Sequence, residues 1–189
     1  SSGNFVTQIK SGADFDIFFS ADTHFADEIS DSGLSVDKPK AYAEGILVLC
    51  GAGSLKDLID ARYKKVSIAN PAHAPYGKIA IEALKNSKVY DRIKDKLVLG
   101  ENVSQAAQFL QVGATPAGLI SQSLSLAPEM KSVSCQVVES SLYQPLVQTF
   151  VVLKKSKNKE TTQKFAKFIL SEKAQLLFAN NGFHSVGAK

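Results

Sequence analysis

Long apolar runs are missing from this sequence, and charge of either sign is nearly balanced. The longest apolar run, Gly45–Cys50, is far short of the ~20 residues that a membrane-spanning helix needs, and it fits a buried strand. The formal net charge is +4, and basic residues cluster only in Lys154–Lys159. No aromatic side chains interrupt that cluster, so it favours a solvated loop over a nucleic-acid surface, with docking to a membrane partner as the alternative.

Residues that build metal and catalytic centres are also scarce. Cys50 and Cys135 match neither a disulfide framework nor a zinc motif. Both lie in strand-like runs, which favours two buried thiols, whereas a single bridge requires adjacent strands. His24, His73 and His184 lack the spacing of metal ligands. His73 is expected to be a solvated loop residue, with an influence on ligand entry as the alternative. No Gly-x-Ser-x-Gly elbow, P-loop or nucleophile–base set is present. We therefore expect a protein that is not an enzyme and that needs no cofactor or metal.

Strand-like and helix-like segments alternate along most of the chain. Apolar strands are expected at Asp16–Ser20, Val66–Asn70 and Lys96–Leu99, each followed by a helical pattern. Glu160–Asn180 has the period of one long amphipathic helix, ended by Asn181-Gly182. This alternation predicts an α/β fold with largely parallel sheets, in which ligands bind beyond the carboxyl ends of the strands.

Three segments place backbone N–H groups and small polar side chains at expected helix starts. They are Ser1-Ser-Gly3, Asn70-Pro-Ala-His-Ala-Pro-Tyr-Gly77 and Gly100-Glu-Asn-Val103. A helix N-terminus attracts anions because its first N–H groups have no partner within the helix. No fixed positive charge accompanies these segments. The pattern predicts the capture of a small anion and no chemistry on it.

The same segments, in the same order, resemble the periplasmic molybdate-binding proteins, which are solute receptors of ABC transporters. The matching segments are Ser1–Gly3, Ile9–Asp22, Ile68–Gly77, Glu101–Val103, Pro116–Ile120 and Phe178–Phe183. The resemblance covers nearly the whole chain. It implies a two-lobe periplasmic binding protein fold of type II, with mostly parallel sheets flanked by helices and the ligand in the cleft. The implied lobes are residues 1–48 with 143–189, and residues 49–142.

The resemblance also implies an oxyanion site made of neutral hydrogen-bond donors. Ser2 matches a hydroxyl contact from the first lobe, and Tyr76 and Val103 match backbone N–H donors from the second lobe. Ser121 stands where some members carry a tyrosine whose hydroxyl reaches the anion. Members of the family have a further strand and helix ahead of the position of Ser1, with a second pocket serine, and the sequence here does not contain them.

Simpler structural interpretations exist for each of these residues. Ser2 is a plausible helix N-cap, the Val103 side chain is expected in the core, and the Tyr76 side chain could shield the mouth of a pocket. Ser20 and Asp22 are expected to end a strand and to cap a helix. Asp22 is not expected to touch an anion, because like charges repel.

These observations lead to one main functional hypothesis. We expect a periplasmic or extracytoplasmic receptor, monomeric and without affinity for nucleic acid, that binds molybdate or tungstate and delivers it to the membrane permease of an ABC transporter. Neutral donors suit a fully ionised dianion, whereas phosphate carries a proton at neutral pH and needs an acceptor. The alternatives are a receptor for another small anion such as sulfate, the effector-sensing domain of a transcription regulator, and an α/β enzyme for which no acid or base is evident.

Overall fold

The computed structural model of the protein describes residues 1–186, and the chain divides into two compact units. The central unit is Ile46–Pro145 together with Ser1, and the terminal unit combines Ser2–Gly45 with the segment that begins at Leu146. The last three residues of the expected 143–189 segment lie outside the described residues. Within the described range, no helix has both the length and the apolar character needed to cross a lipid bilayer.

Helices and strands alternate as expected through much of the chain. The helices are α1 (Ser2–Lys10), α2 (His24–Asp31), α3 (Pro75–Asn86), α4 (Tyr90–Ile93), α5 (Val103–Gln111), α6 (Gln122–Ser125), α7 (Lys159–Ile169) and α8 (Glu172–Asn180). The strands are β1 (Ile17–Ser20), β2 (Lys40–Gly45), β3 (Leu47–Cys50), β4 (Val66–Ala69), β5 (Leu97–Gly100), β6 (Ala117–Ser121), β7 (Cys135–Val137), β8 (Leu146–Val152) and β9 (Phe183–His184).

The sheet of the terminal unit has the order β1-β8-β2-β9 among the described residues, and each neighbouring pair in it is antiparallel. The expectation of a mostly parallel sheet is therefore wrong for this unit. Strands β1 and β2 do run in the same direction, as a strand–helix–strand pattern predicts. Strand β8, which comes from far along the chain, lies between them and runs the other way.

Apolar side chains cover both faces of this sheet. On one face Phe18 of β1 packs with Val6 and Ile9 of α1. On the other face Phe150 of β8 packs with Ile169 of α7. Helices therefore flank the sheet on both sides, which is the layer arrangement expected of an α/β fold.

The sheet of the central unit is mixed, with the order β5-β4-β6-β3-β7 in the part of the chain that is described. Strand β4 pairs in parallel with both β5 and β6, whereas β3 pairs antiparallel with both β6 and β7. Parallel neighbours need a long crossover connection, and helices supply it between β4 and β5 and between β5 and β6. The prediction of parallel pairing is confirmed for those three strands only.

The expected long helix Glu160–Asn180 is interrupted. It forms α7 and α8, and Ser171 lies between them as the N-cap of α8. The Ser171 hydroxyl accepts the Ala174 N–H at 3.4 Å and donates to the Phe168 carbonyl at 2.6 Å. The serine thus ends one helix and starts the next, although the apolar period continues through the break.

The basic cluster Lys154–Lys159 is exposed over most of its length, as expected of a solvated loop. It is also attached to the segment before β1. Asp16 accepts a hydrogen bond from the Ser156 hydroxyl at 2.7 Å, and this bond lowers the pKa of the Asp16 carboxyl. Lys157 donates to Asp14 and lowers the pKa of that carboxyl in the same way.

A disulfide bond joins the two cysteines, so the expectation of two buried thiols is wrong. Cys50 ends β3 and lies directly opposite Cys135, the first residue of β7. Their Cα atoms are 4.0 Å apart, and 85 residues separate them in sequence. The bond therefore fastens edge strand β7 to the rest of the central sheet.

Reduction of this disulfide is expected to destabilise the protein. A crosslink across a long loop restricts the unfolded chain, and removal of such a native bond typically costs about 2–4 kcal/mol. Urea unfolding followed by circular dichroism, with and without reductant, measures the effect. The matched control is the double variant Cys50→Ala/Cys135→Ala, which we expect to be as unstable as the reduced protein and insensitive to reductant. Equal unfolding midpoints for the oxidised and reduced proteins would show that the crosslink contributes nothing.

Candidate functional site

Two helix starts lie at one edge of the central sheet. Ala69 and Gly100, the last residues of β4 and β5, are paired in register, and the Asn70 N–H donates to the Gly100 carbonyl at 2.8 Å. Helix α3 begins a few residues after β4, and α5 begins at Val103, shortly after β5. Because parallel strands end at the same edge of a sheet, both helix N-termini lie there, which is the usual place for ligands in such sheets.

Asn70 organises the loop that leads into α3. Its side-chain Oδ1 accepts the Ala72 N–H at 3.0 Å, and its carbonyl accepts the Ala74 N–H at 2.9 Å. Pro75 occupies the first position of α3, where its fixed φ suits a helix and no N–H is needed. Tyr76 follows in the first turn and is buried. The predicted backbone donor at Tyr76 therefore lies on a well-fixed helix start.

A second set of hydrogen bonds fixes the start of α5. The Asn102 side chain accepts the Gln105 N–H at 3.0 Å, and the Gln105 side chain accepts the Glu101 N–H at 2.6 Å. This reciprocal arrangement resembles a capping box. Val103, the first helical residue, has no acceptor for its N–H within the helix, and no hydrogen bond from that N–H is present in the described part of the chain. The Val103 side chain packs against the apolar cluster of the central unit, as expected.

Two glycines let the helix starts approach the strand ends. A Cβ atom on Gly77, in the first turn of α3, would lie 2.2 Å from the Ala69 carbonyl oxygen. A Cβ atom on Gly100 would lie 2.7 Å from the Ala106 nitrogen in α5. Both contacts are with backbone atoms, which cannot move aside as a flexible side chain does. Any larger residue at either position must displace a helix start.

Gly77→Ala is therefore expected to be destabilising, by about 1–3 kcal/mol, as is usual for overpacking. The control is Gly53→Ala, because the nearest neighbour of a Cβ atom there is the mobile carboxylate of Asp57 at 3.0 Å. Thermal unfolding of both variants measures the difference. If the two variants melted at the same temperature, the close approach of α3 to β4 would not limit stability.

Ser2, the predicted contact from the first lobe, begins α1 in the terminal unit and is buried. Its Oγ accepts the N–H of Ala21, the residue after β1, at 3.0 Å. Sequence reasoning missed the neighbouring Ser1, whose Oγ is buried and has no hydrogen-bond partner among the described residues. A buried hydroxyl without a partner is unfavourable. The Ser-Ser-Gly motif contains two adjacent serines, so it could have indicated both hydroxyls as candidate donors and not Ser2 alone.

Ser20 and Asp22 fix the loop that carries Ala21. An Asp22 carboxylate oxygen accepts the Phe25 N–H at 3.1 Å and the Ser20 hydroxyl at 3.0 Å. The expectation that Asp22 caps the following helix is confirmed. The buried Ser20 ends β1, also as expected. Both residues fix the conformation of the loop after β1. They thereby position the Ala21 N–H, which donates to the Ser2 hydroxyl.

Ser121 ends β6, which runs parallel to β4, so it lies at the same edge of the central sheet as the starts of α3 and α5. Its hydroxyl accepts the Leu124 N–H at 3.4 Å and lies 3.0 Å from the Ser123 hydroxyl. In the structure Ser121 is the N-cap of the short helix α6. The structure thus places Tyr76, Val103 and Ser121 at one sheet edge of the central unit, and Ser2 in the terminal unit.

His73 is a residue whose contacts sequence reasoning missed. It was expected to be a solvated loop residue, but its side chain is only 23% exposed. Its Nε2 atom lies 3.0 Å from the Glu101 carbonyl oxygen, so the side chain joins the loops before α3 and α5. The available signal was that His73 follows β4 and Glu101 follows β5, because residues after two parallel neighbouring strands lie at the same sheet edge. Across residues 1–186, no group of histidine, cysteine and carboxylate side chains is arranged to hold a metal ion.

Comparison with known proteins places these features in a family. Residues 1–184 match the bacterial extracellular solute-binding protein family. The chain is 32% identical over 188 residues to the molybdate-binding protein ModA of Rhodobacter capsulatus, a match that covers 96% of this chain and 74% of that protein. It is also 32% identical over 189 residues to ModA of Azotobacter vinelandii, with 96% and 75% covered.

A solved structure agrees with these matches. The periplasmic molybdate-binding protein of Azotobacter vinelandii superimposes with a TM-score of 0.91 at 26% identity, which covers 99% of this chain and 85% of that one. The match confirms the predicted α/β periplasmic binding protein fold. The family confirms the predicted class, which is a binding protein and not an enzyme. The chain belongs to the bacterial extracellular solute-binding protein family.

Proposed function

We propose that this protein is an extracytoplasmic receptor that binds molybdate or tungstate and delivers it to the permease of an ABC transporter. The observation that carries this proposal is the set of neutral donors at fixed helix starts, in a chain that is similar over nearly its whole length to molybdate-binding proteins. A backbone N–H or a serine hydroxyl carries no charge and does not titrate near neutral pH. Such donors bind an anion without a buried cation.

Ser2, Val103 and Ser121 can each still donate a hydrogen bond to an anion. Ser2 Oγ accepts from Ala21, so its own proton can be donated to an anion. The Val103 N–H extends from the start of α5, where the helix dipole also favours negative charge. Ser121 can contribute a hydroxyl beside its role as a cap, and the buried Ser1 Oγ is a further candidate. Together with the first turn of α3 at Tyr76, these groups form a set of neutral donors.

A set made of backbone N–H groups and hydroxyls, without a carboxylate, selects for the charge state of the anion. Molybdate, tungstate and sulfate are fully ionised dianions at neutral pH and accept hydrogen bonds on every oxygen. Phosphate keeps a proton and needs an acceptor, which backbone N–H groups cannot provide. Sulfate is smaller than molybdate, so donors held at fixed positions cannot all reach it at hydrogen-bond distance. The proposal therefore includes discrimination against sulfate by size and against phosphate by protonation.

The finer architecture is part of the same proposal. We infer that the two units are the two lobes of a type II periplasmic binding protein. The support is the similarity, over 99% of this chain, to the periplasmic molybdate-binding protein of Azotobacter vinelandii, together with the division of the chain into two compact units. Candidate donors occur in each unit, Ser2 in one and Tyr76 and Val103 in the other.

Isothermal titration calorimetry with molybdate, tungstate, sulfate and phosphate tests the proposal. We expect molybdate and tungstate to bind, and sulfate to bind about 10- to 100-fold more weakly, because one lost hydrogen bond to a charged ligand is worth about 1.5–3 kcal/mol. A folded protein that ignores both molybdate and tungstate would refute the proposal. Equal affinity for sulfate would replace it with a general oxyanion receptor.

Val103→Pro is expected to weaken molybdate binding about 10- to 100-fold while leaving the fold intact. The substitution removes one N–H donor to a charged ligand, worth about 1.5–3 kcal/mol. Proline is tolerated at the first position of a helix, and Asn102 before it, with φ −153° and ψ 177°, already has the extended conformation that a following proline requires.

The matched control is Glu172→Pro at the first position of α8. Its preceding residue, Ser171, is also extended, with φ −74° and ψ 154°. Both variants are titrated with molybdate, and their thermal unfolding is recorded. Unchanged affinity in Val103→Pro would remove this N–H from the site, and equal weakening in Glu172→Pro would show an indirect effect.

A further inference from the structure

We propose that His73 is a positioning residue that fixes the start of α5 relative to the start of α3, and thereby sets the spacing of the two backbone donors at Tyr76 and Val103. The effect of His73 on anion affinity rests on the proposed function. The side-chain link between the two loops can be tested without any ligand.

The acceptor in this link is a backbone carbonyl. His73 Nε2 lies 3.0 Å from the Glu101 carbonyl oxygen and 3.6 Å from the Glu101 carboxylate. A carbonyl oxygen can only accept, so Nε2 carries the hydrogen and donates it. The carboxylate is beyond the usual range for a hydrogen bond. His73 therefore holds the main chain just before α5.

That main chain determines the direction of the Val103 N–H. The peptide before Asn102 is held at the Glu101 carbonyl by His73, and the carbonyl of Asn102 accepts the Ala106 N–H at 3.2 Å. Because a peptide unit is planar and trans, the Val103 N–H points away from the Asn102 carbonyl. With the peptides on both sides of Asn102 held, the Val103 donor has one direction.

The histidine is itself fixed to the other loop. Its backbone N–H donates to the Asn70 carbonyl at 3.3 Å, and it lies two residues before Pro75, which opens α3. The Asn70 N–H in turn bonds to the Gly100 carbonyl at 2.8 Å. The two loops are thus joined at the strand ends by a main-chain bond and beyond the strand ends by His73.

This link matters because a single anion must meet both donors. Affinity for a small ligand depends on donors that are already in place, since ordering them on binding costs free energy. Without the His73 side chain, the segment Glu101–Val103 keeps its cap but loses its side-chain connection to the loop before α3, and the main-chain bond from Asn70 to Gly100 is left as the link between the loops. The two donors would then move more independently, and the bound state would have to order them.

The test compares His73→Ala with His73→Gln, because the Gln Nε2 can take the place of the imidazole Nε2 as a donor to the carbonyl. The control is His24→Ala, at the exposed start of α2 in the terminal unit. We expect His73→Ala to weaken molybdate binding about five- to tenfold, the effect of one neutral hydrogen bond. We expect His73→Gln to stay within about twofold of the parent, and His24→Ala to match it.

A second readout needs no ligand. Amide hydrogen exchange at Gln105 and Ala106, whose N–H groups bond to Asn102, reports on the order of the α5 start. We expect faster exchange at both amides in His73→Ala, restored in His73→Gln and unchanged in His24→Ala.

The outcomes separate this inference from the proposed function. Unchanged exchange in His73→Ala would overturn the link, whatever the binding result. A fall in melting temperature shared by His73→Ala and His73→Gln, with no recovery of binding, would reduce His73 to a structural residue and also overturn it. A parent protein that does not bind molybdate would refute the proposed function, and the exchange result would still decide the link.

Discussion

Parallel pairing of β4 with β5 is the constraint on which the candidate site depends. It brings the chain out of two strands at the same edge, so that the helices that follow begin side by side. Glycine at positions 77 and 100 then lets each helix start lie against its strand end. The N-termini of α3 and α5 therefore lie at the same edge of the sheet. Their first backbone N–H groups are the candidate donors to a ligand there.

Neutral donors give such a site a particular character. A lysine or arginine would attract many anions, and its attraction would be screened by salt. Fixed N–H and O–H groups instead select an anion by its shape, size and protonation state. Their own supports are also neutral or local: Asn70, Asn102 and Gln105 hold the loops of the central unit through short-range hydrogen bonds. In these loops the polar side chains therefore hold the backbone in position.

Local features of the site were predictable from sequence. Asn70–Gly77 and Gly100–Val103 carry helix-start signals with a direct physical meaning, and helices do begin at Pro75 and Val103. The Asp22 cap and most of the buried strand Gly45–Cys50 were predictable for the same reason, because capping and strand burial depend on residues close together in sequence. The structure differs in that β2 ends at Gly45 and β3 begins at Leu47.

Features that depend on distant segments were not predictable. Strand β8 is inserted antiparallel between β1 and β2, and no pattern near those strands shows it. Cys50 and Cys135 bond because β3 and β7 are neighbours, which depends on the strand order. The contact of His73 with Glu101 follows from the pairing of β4 with β5 in the same way. The break at Ser171 is different, since a cap signal was present but the apolar period obscured it.

A crystal structure of the protein grown with molybdate, with molybdenum located by its anomalous scattering, would show where the anion binds. We expect molybdate oxygens at about 2.7–3.2 Å from the backbone nitrogens of Tyr76 and Val103. Molybdenum bound instead at the lysines of Lys154–Lys159, with the starts of α3 and α5 unoccupied, would contradict this expectation.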